Sequence, residues 1–357
     1  MKKRYLILED GTIFQGWAFG ADEAVIGELV FTTNMVGYVE TLTDPSYYGQ
    51  IILQTFPLIG NYGIMEEDFE GTPRLFGYVV KEWCPTPSNF RCQYTVDDFL
   101  KKHHIPGLWG VDTRELTTRI REYGVVNAMI SDTIPEDWSD IAAYTVHDAV
   151  ANSTCAAPET YPALGEEKHH VVLVDYGAKR NILRSLQKRG CRVTAVPAST
   201  SAEDILALNP DGIMLSNGPG DPAENVGPIA ELRKLLGKKP IFGICLGHQL
   251  LALAAGGKTV KLKYGHRGGN QPCRQVGSRH TFITSQNHGY AVVADSVSGG
   301  VEQFVNANDG TCEGMDYPAL NAFTVQFHPE ACSGPKDTDF LFQRFINLME
   351  GKSYAAE

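Results

Sequence analysis

Apolar residues follow two different patterns that meet near residue 150. Before it, short β-rich runs at 5–8, 12–14, 28–33, 50–55 and 78–80 are separated by turn clusters such as Glu9-Asp10-Gly11 and Thr43-Asp44-Pro45-Ser46. Residues 96–103 and 112–123 carry a helical period, the second opening on Asp112 as an N-cap and closing near Gly124. After it, apolar strands alternate with helices: strands at 171–175, 192–196, 212–215 and 240–244, helices at 178–189, 202–208, 229–236 and 247–255. Such alternation marks βαβ units and a parallel sheet covered on both faces, whose ligands bind beyond the carboxyl ends of the strands. Beyond Gly256 come β-rich segments at 259–263, 280–284 and 322–327, then an amphipathic helix carrying Phe340, Phe342, Phe345, Ile346 and Leu348. The fold expected is α/β: a doubly wound, mostly parallel C-terminal sheet preceded by a strand-rich β/α domain.

Between the two patterns, residues 151–168 are small and polar, hold Pro158 and Pro162, and lack either period. Domains are therefore expected at 1–150 and 169–357 with a linker at 151–168, in keeping with 357 residues, more than one hydrophobic core usually serves. Asn152-Ser153-Thr154 is formally a glycosylation acceptor, but the N-terminal apolar run ends at Glu9, too short for a secretory signal, so a cytoplasmic setting is expected. No stretch has the length of an apolar membrane span. The formal net charge of −11 repels phosphate backbones and anionic lipid, which points away from nucleic acid and toward a small neutral or zwitterionic substrate. The eight cysteines are scattered without a C-x-x-C pair, which favours neither a disulfide framework nor a zinc ribbon.

One cysteine stands apart. In Gly243-Ile244-Cys245-Leu246-Gly247 an apolar strand runs straight into an apolar helix. The glycines allow a cramped strand-to-helix turn that lifts a nucleophile above the sheet, where the helix N-terminus stabilises negative charge and the Leu246 N–H is placed for an oxyanion. Such a nucleophile needs a base, and the base an orienting partner. Phe327-His328-Pro329-Glu330 ends a β run and sets a carboxylate two positions from an imidazole, on the same side of an extended backbone. His248, three residues after Cys245 on the same helix, is the rival base but has no carboxylate partner in sequence.

Two glycine-rich segments carry weaker signals. Gly218-x-Gly220-x-x-Ala223 formally fits a dinucleotide fingerprint, but Pro222 interrupts it and no acidic residue ends the next strand, so a rigid loop offering N–H groups to the Cys245 cleft is the better reading. Gly257-Lys258-Thr259 looks like the end of a phosphate loop, but Ala252 stands in place of the first glycine and the segment follows a helix instead of opening one.

Gly243-Ile-Cys-Leu-Gly-His-Gln249, with Phe327-His-Pro-Glu330 and Asn217-Gly-Pro-Gly-Asp-Pro222, resembles the class I (triad) glutamine amidotransferases. Segments 29–47, 110–116, 175–183 and 286–290 extend the likeness over essentially the whole chain, to the small chains of glutamine-dependent carbamoyl phosphate synthases. The resemblance implies Cys245 as nucleophile, His328 as base and then acid, and Glu330 as its orienter. It also implies glutamine contacts from Ser46, Gly218, Gly220, Leu246, Gln249, Asn287, Gly289 and Tyr290. Tyr290 stands where Phe is usual in the family, and Gln271 where His is frequent. No metal or cofactor is expected on this chain; the implied partner is a large synthetase chain that binds ATP, magnesium and bicarbonate, with carbamoyl phosphate feeding arginine or pyrimidine synthesis. Two other readings use the same residues: a stand-alone γ-glutamyl hydrolase or cysteine peptidase, and a non-catalytic, glutamine-binding regulatory chain.

Overall fold

The computed structural model describes residues 1–352, which divide into two compact units at His147/Asp148. In the first unit seven strands close a barrel, in the order Lys3–Leu8, Ile13–Gly20, Pro106–Trp109, Gly77–Val80, Gln50–Gln54, Val25–Thr32, Val126–Ser131 and back to Lys3–Leu8. Alternate side chains on one face of the barrel wall, such as Val30, Ile52, Tyr78 and Val80, form a buried apolar cluster with Val96, Phe99 and Leu100 of the helix Val96–Lys102. That helix starts where a capping box forms, with Thr95 and Asp98 each accepting the other's backbone N–H. The helix Thr113–Tyr123 is capped by Asp112, whose carboxylate accepts from Arg114 and Glu115, and stopped by Gly124 at φ 103°. A buried guanidinium ties the barrel wall: Arg4 donates to the carbonyls of Phe19, Ala21 and Gly107 and pairs with Asp132 at 2.7 Å.

In the second unit a ten-stranded sheet runs Glu159–Tyr161, Cys191–Pro197, His169–Asp175, Gly212–Leu215, Ile241–Ile244, Ala322–Val325, Cys312–Tyr317, Val301–Asn306, Lys258–Gln275, Thr281–Val293. The five strands from Cys191–Pro197 to Ala322–Val325 are parallel, and the strands beyond are antiparallel. Separate apolar clusters cover the two faces, one with the helices Ala202–Ala207, Val226–Leu235 and Leu246–Ala254, the other with Arg180–Gln187 and Phe340–Met349.

Several elements differ from expectation. Residues 151–168 belong to the second unit, and Glu159–Tyr161 within them pair antiparallel with Cys191–Pro197 as the edge strand. The helix expected from Ala178 begins at Arg180, because the Asp175 carboxylate accepts the N–H groups of Gly177 and Ala178 and holds them in a turn. In place of short runs at 259–263 and 280–284 stands the long hairpin Lys258–Gln275 and Thr281–Val293, broken by two register shifts. Its inward positions include His266, Gln286 and His288, so the polar-outward alternation that marks a half-buried strand is missing. Among the described residues no helix is long and apolar enough to cross a membrane.

Candidate active site

The parallel strand Ile241–Ile244 ends at Cys245, which holds φ 52° and ψ −103°, a left-handed conformation that a side-chain-bearing residue rarely keeps without a surrounding structure that imposes it. The imposition is visible. Cys245 N–H donates to Val325 O at 2.9 Å and Gly247 N–H to Ser216 O at 3.0 Å, tying the turn to both flanking segments. A Cβ on Gly247 would stand 2.5 Å from Leu215 O, so only glycine lets the helix Leu246–Ala254 start so close to the sheet. Cys245 is buried, and its thiol donates to Asn287 O at 3.6 Å.

His328 follows the strand Ala322–Val325, with its N–H bonded to Ser285 O at 2.9 Å. Its Nδ1 lies 2.6 Å from Glu330 Oε1, and both side chains are fully buried. The pairing comes from a turn and not from extended strand, since Ala331 N–H closes back on His328 O at 3.3 Å around Pro329. The imidazole Nε2 is buried without a hydrogen-bond partner. Burial and the Lys179 ammonium oppose the imidazolium, but the Glu330 charge, the neighbouring Cys245 and the hydrogen bond to Glu330 outweigh them and raise its pKa to about 9. Burial works against the Glu330 carboxylate, and the His328 and Lys179 charges overcome it and hold its pKa below the usual value. Thiol, imidazole and carboxylate are thus brought to the carboxyl ends of two adjacent parallel strands.

The other expected residues take differing places. The Gly218 Cα path needs glycine, because a Cβ would meet Tyr176 O at 2.4 Å and the Leu246 side chain at 2.8 Å, so this loop lies against the elbow. Gly220 takes φ 86°. Gln249 is buried, and its amide donates to Tyr290 O and Gln326 Oε1, both at 2.9 Å, so this group supports the strand Thr281–Val293 that carries Asn287, Gly289 and Tyr290. Ser46 belongs to the first unit, on the short turn Pro45–Tyr47, with its N–H on Asp44 Oδ1 at 2.9 Å. His248 is buried against the sheet with Nδ1 2.7 Å from Thr324 Oγ1, and burial lowers its pKa to about 3, which leaves it a neutral core group. All eight cysteines are free thiols. Burial pushes the thiols of Cys155 to about 11 and Cys191 to about 12, and those of Cys273 and Cys312 still higher.

Lys179 was not among the expected site residues. Its Nζ lies 3.4 Å from His328 Nδ1 and 3.9 Å from Glu330 Oε1. Its N–H is held by Asn217 Oδ1 at 3.0 Å, and Asn217 also donates to Gly177 O, so one amide side chain joins the two loops that close the site. Its place just past the carboxyl end of the first parallel strand was the signal available in sequence.

A family model described as glutamine amidotransferase class-I matches residues 172–348, and one described as carbamoyl-phosphate synthase small chain, CPSase domain, matches residues 6–130. The chain is 51% identical over 368 residues to the carbamoyl phosphate synthase small chain of Syntrophotalea carbinolica, covering 98% of each. It is 51% identical over 357 residues to that of Oceanobacillus iheyensis, covering 98% of this chain and 97% of the relative. A solved structure from Thermoplasma acidophilum, described as a putative GMP synthase component, covers 52% of this chain and 96% of its own, at 22% identity and TM-score 0.46.

Proposed function

The chain belongs to the family of carbamoyl phosphate synthase small chains, and we propose that Cys245, His328 and Glu330 carry out its glutamine hydrolysis. With the proton of Cys245 held on His328 Nε2, the sulfur attacks the side-chain amide carbon of glutamine. The resulting oxyanion is met by the N–H groups of Leu246 and of the 218–220 loop. The C–N bond breaks as His328 returns the proton to the departing nitrogen, and ammonia leaves a γ-glutamyl thioester. Water, giving a proton to His328, attacks the thioester; the C–S bond breaks and glutamate leaves as the thiol is restored.

Glu330 has one part throughout: it accepts from His328 Nδ1–H, which leaves Nε2 facing the reaction and stabilises the imidazolium that each step forms. The observation that carries this reading is the fully buried 2.6 Å contact between His328 and Glu330, just past the end of the strand that pairs with the one ending at Cys245. In the second unit Gly218, Gly220, Leu246, Gln249, Asn287, Gly289 and Tyr290 are the proposed surroundings of glutamine, Gln249 through the backbone it supports; Ser46 is a glutamine contact only as the resemblance implies it. No metal or cofactor takes part on this chain.

Ammonia released into water takes up a proton and ceases to be a nucleophile, so its consumer is proposed to be the large synthetase chain, which supplies ATP, magnesium and bicarbonate chemistry. The cytoplasm is the proposed compartment. In the complex, Cys245→Ser is expected to abolish glutamine-dependent carbamoyl phosphate synthesis and to keep the ammonia-dependent reaction. Glutamine-driven synthesis persisting in that variant refutes the assignment. Turnover by the isolated chain that the large chain leaves unchanged favours a stand-alone γ-glutamyl hydrolase instead.

A further inference from the structure

Beside the proposed site lies a second buried polar cluster that the reaction does not use. Glu313, on the strand Cys312–Tyr317, is completely buried, a costly place for a carboxylate unless donors surround it. They do. Its Oε1 accepts from Asn306 Nδ2 at 3.3 Å and faces His266 Nδ1 at 3.4 Å, and its Oε2 accepts from Gln286 Nε2 at 3.0 Å. The other nitrogen of His266 lies 2.8 Å from Asp309 Oδ2, so both ring nitrogens face carboxylates, an arrangement that suits an imidazolium.

The cluster is connected to the proposed site through a single strand. Gln286 and His288, two apart, turn to the same side of the strand. His288 Nε2 lies 3.2 Å from Gln286 Oε1, and His288 Nδ1 2.8 Å from Tyr290 O, the carbonyl that also takes Gln249. Between them the Asn287 carbonyl faces the Cys245 thiol. A chain of contacts therefore runs from Glu313 through Gln286 and His288 to the backbone lying against the nucleophile.

The ligand atoms of His266, His288 and Glu313 come within 4.8 Å of one another, close enough for a metal ion. But Glu313 is already occupied by amide and imidazole donors, and both His266 nitrogens face oxygen atoms, which is the pattern of a satisfied hydrogen-bond network.

Building on the glutaminase reading, we propose that Glu313, with His266 as its counter-ion, is a positioning residue that holds the 286–290 segment against Cys245 and so sets how tightly glutamine is bound. The test is steady-state glutamine hydrolysis by the full chain carrying Glu313→Leu, Glu313→Gln or His266→Gln, with the rate of Cys245 alkylation by iodoacetamide measured alongside. Glu313→Leu is expected to raise the glutamine KM about tenfold or more with kcat changed far less, since the loss of a buried acceptor moves the strand and not the thiol. Glu313→Gln, which keeps one acceptor oxygen, should recover a large part of that loss, and alkylation should stay within about twofold of wild type. His266→Gln, which spares the carboxylate, is expected to raise KM in the same sense and keeps the test alive if Glu313→Leu does not fold. Wild-type KM in Glu313→Gln and His266→Gln together with a folded Glu313→Leu of unchanged KM overturns the proposal. So does a parallel fall of kcat and alkylation at unchanged KM with Gln no better than Leu, which marks general damage. Stoichiometric transition metal retained by the wild-type chain and lost in Glu313→Gln overturns it in favour of ligation. Failure of the wild-type chain to turn over glutamine removes the glutaminase reading itself, and this proposal with it.

Discussion

His328 Nδ1 stands 2.6 Å from Glu330 Oε1 with both side chains out of solvent, so the imidazole is committed to one orientation and its Nε2 is the atom left for chemistry. Glu330→Gln keeps the shape but lets the amide present N–H to Nδ1, which favours the opposite tautomer. Glutaminase kcat is expected to fall about 10- to 100-fold with a much smaller change in KM. Wild-type kcat in a steady-state assay of this variant removes Glu330 from the mechanism.

The same pair sets a pH dependence of stability. His328 is raised to about 9 from the ordinary 6.5, so its contribution is present in full below about pH 6.5 and is lost as pH rises through about 9. Glu330 is lowered from 4.5, so its contribution is present above about pH 4.5 and lost on further acidification. Thermal midpoints of wild type and His328→Gln should therefore differ most between those limits and converge toward high pH. A difference that grows through pH 9 contradicts the pairing.

Lys179 Nζ lies 3.4 Å from one member of that pair and 3.9 Å from the other and lowers the proton affinity of each. In Lys179→Met the imidazolium loses a neighbouring positive charge, so the limb of the kcat/KM profile governed by His328 should move to higher pH. A pH profile superimposable on wild type, with only its height changed, limits Lys179 to a structural part.

Two glycines separate necessity from habit. Gly247→Ala places a Cβ 2.5 Å from Leu215 O and 2.7 Å from its Cβ, so a loss of about 1–3 kcal/mol and a displaced elbow with reduced glutaminase activity are expected. Gly227, inside the helix Val226–Leu235, meets no distant atom where its Cβ would go, but a Cβ there crowds the ring of Pro228, so the gain in chain stiffness is offset and Gly227→Ala should change stability by less than about 1 kcal/mol with activity unchanged. Denaturant unfolding of the two variants checks the contrast.

Legibility followed locality. The strand-turn-helix around Cys245 could be read because Gly243, Cys245, Gly247 and the apolar helix are consecutive, and each residue acts on its immediate neighbours. The helix starting at Asp112 was legible for the same reason, its capping carboxylate lying one residue before the first turn. The closed barrel was not, since Lys3–Leu8 and Val126–Ser131 are joined by backbone hydrogen bonds that carry no side-chain signature across so long a separation. The long hairpin was obscured because its inward side chains are polar.

The chain by itself determined the local alternation of strand and helix, the strained elbow that holds Cys245, and the His-Pro-Glu segment, because these follow from backbone preference and periodicity over a few residues. Only the tertiary structure decided that Cys245 and His328 follow adjacent strands while His248 turns to Thr324, that Lys179 joins the His328–Glu330 pair, and that Glu313 is enclosed beneath the Asn287 strand. Those outcomes depend on which distant segments the sheet order makes adjacent, and burial then sets the protonation of whatever groups meet there.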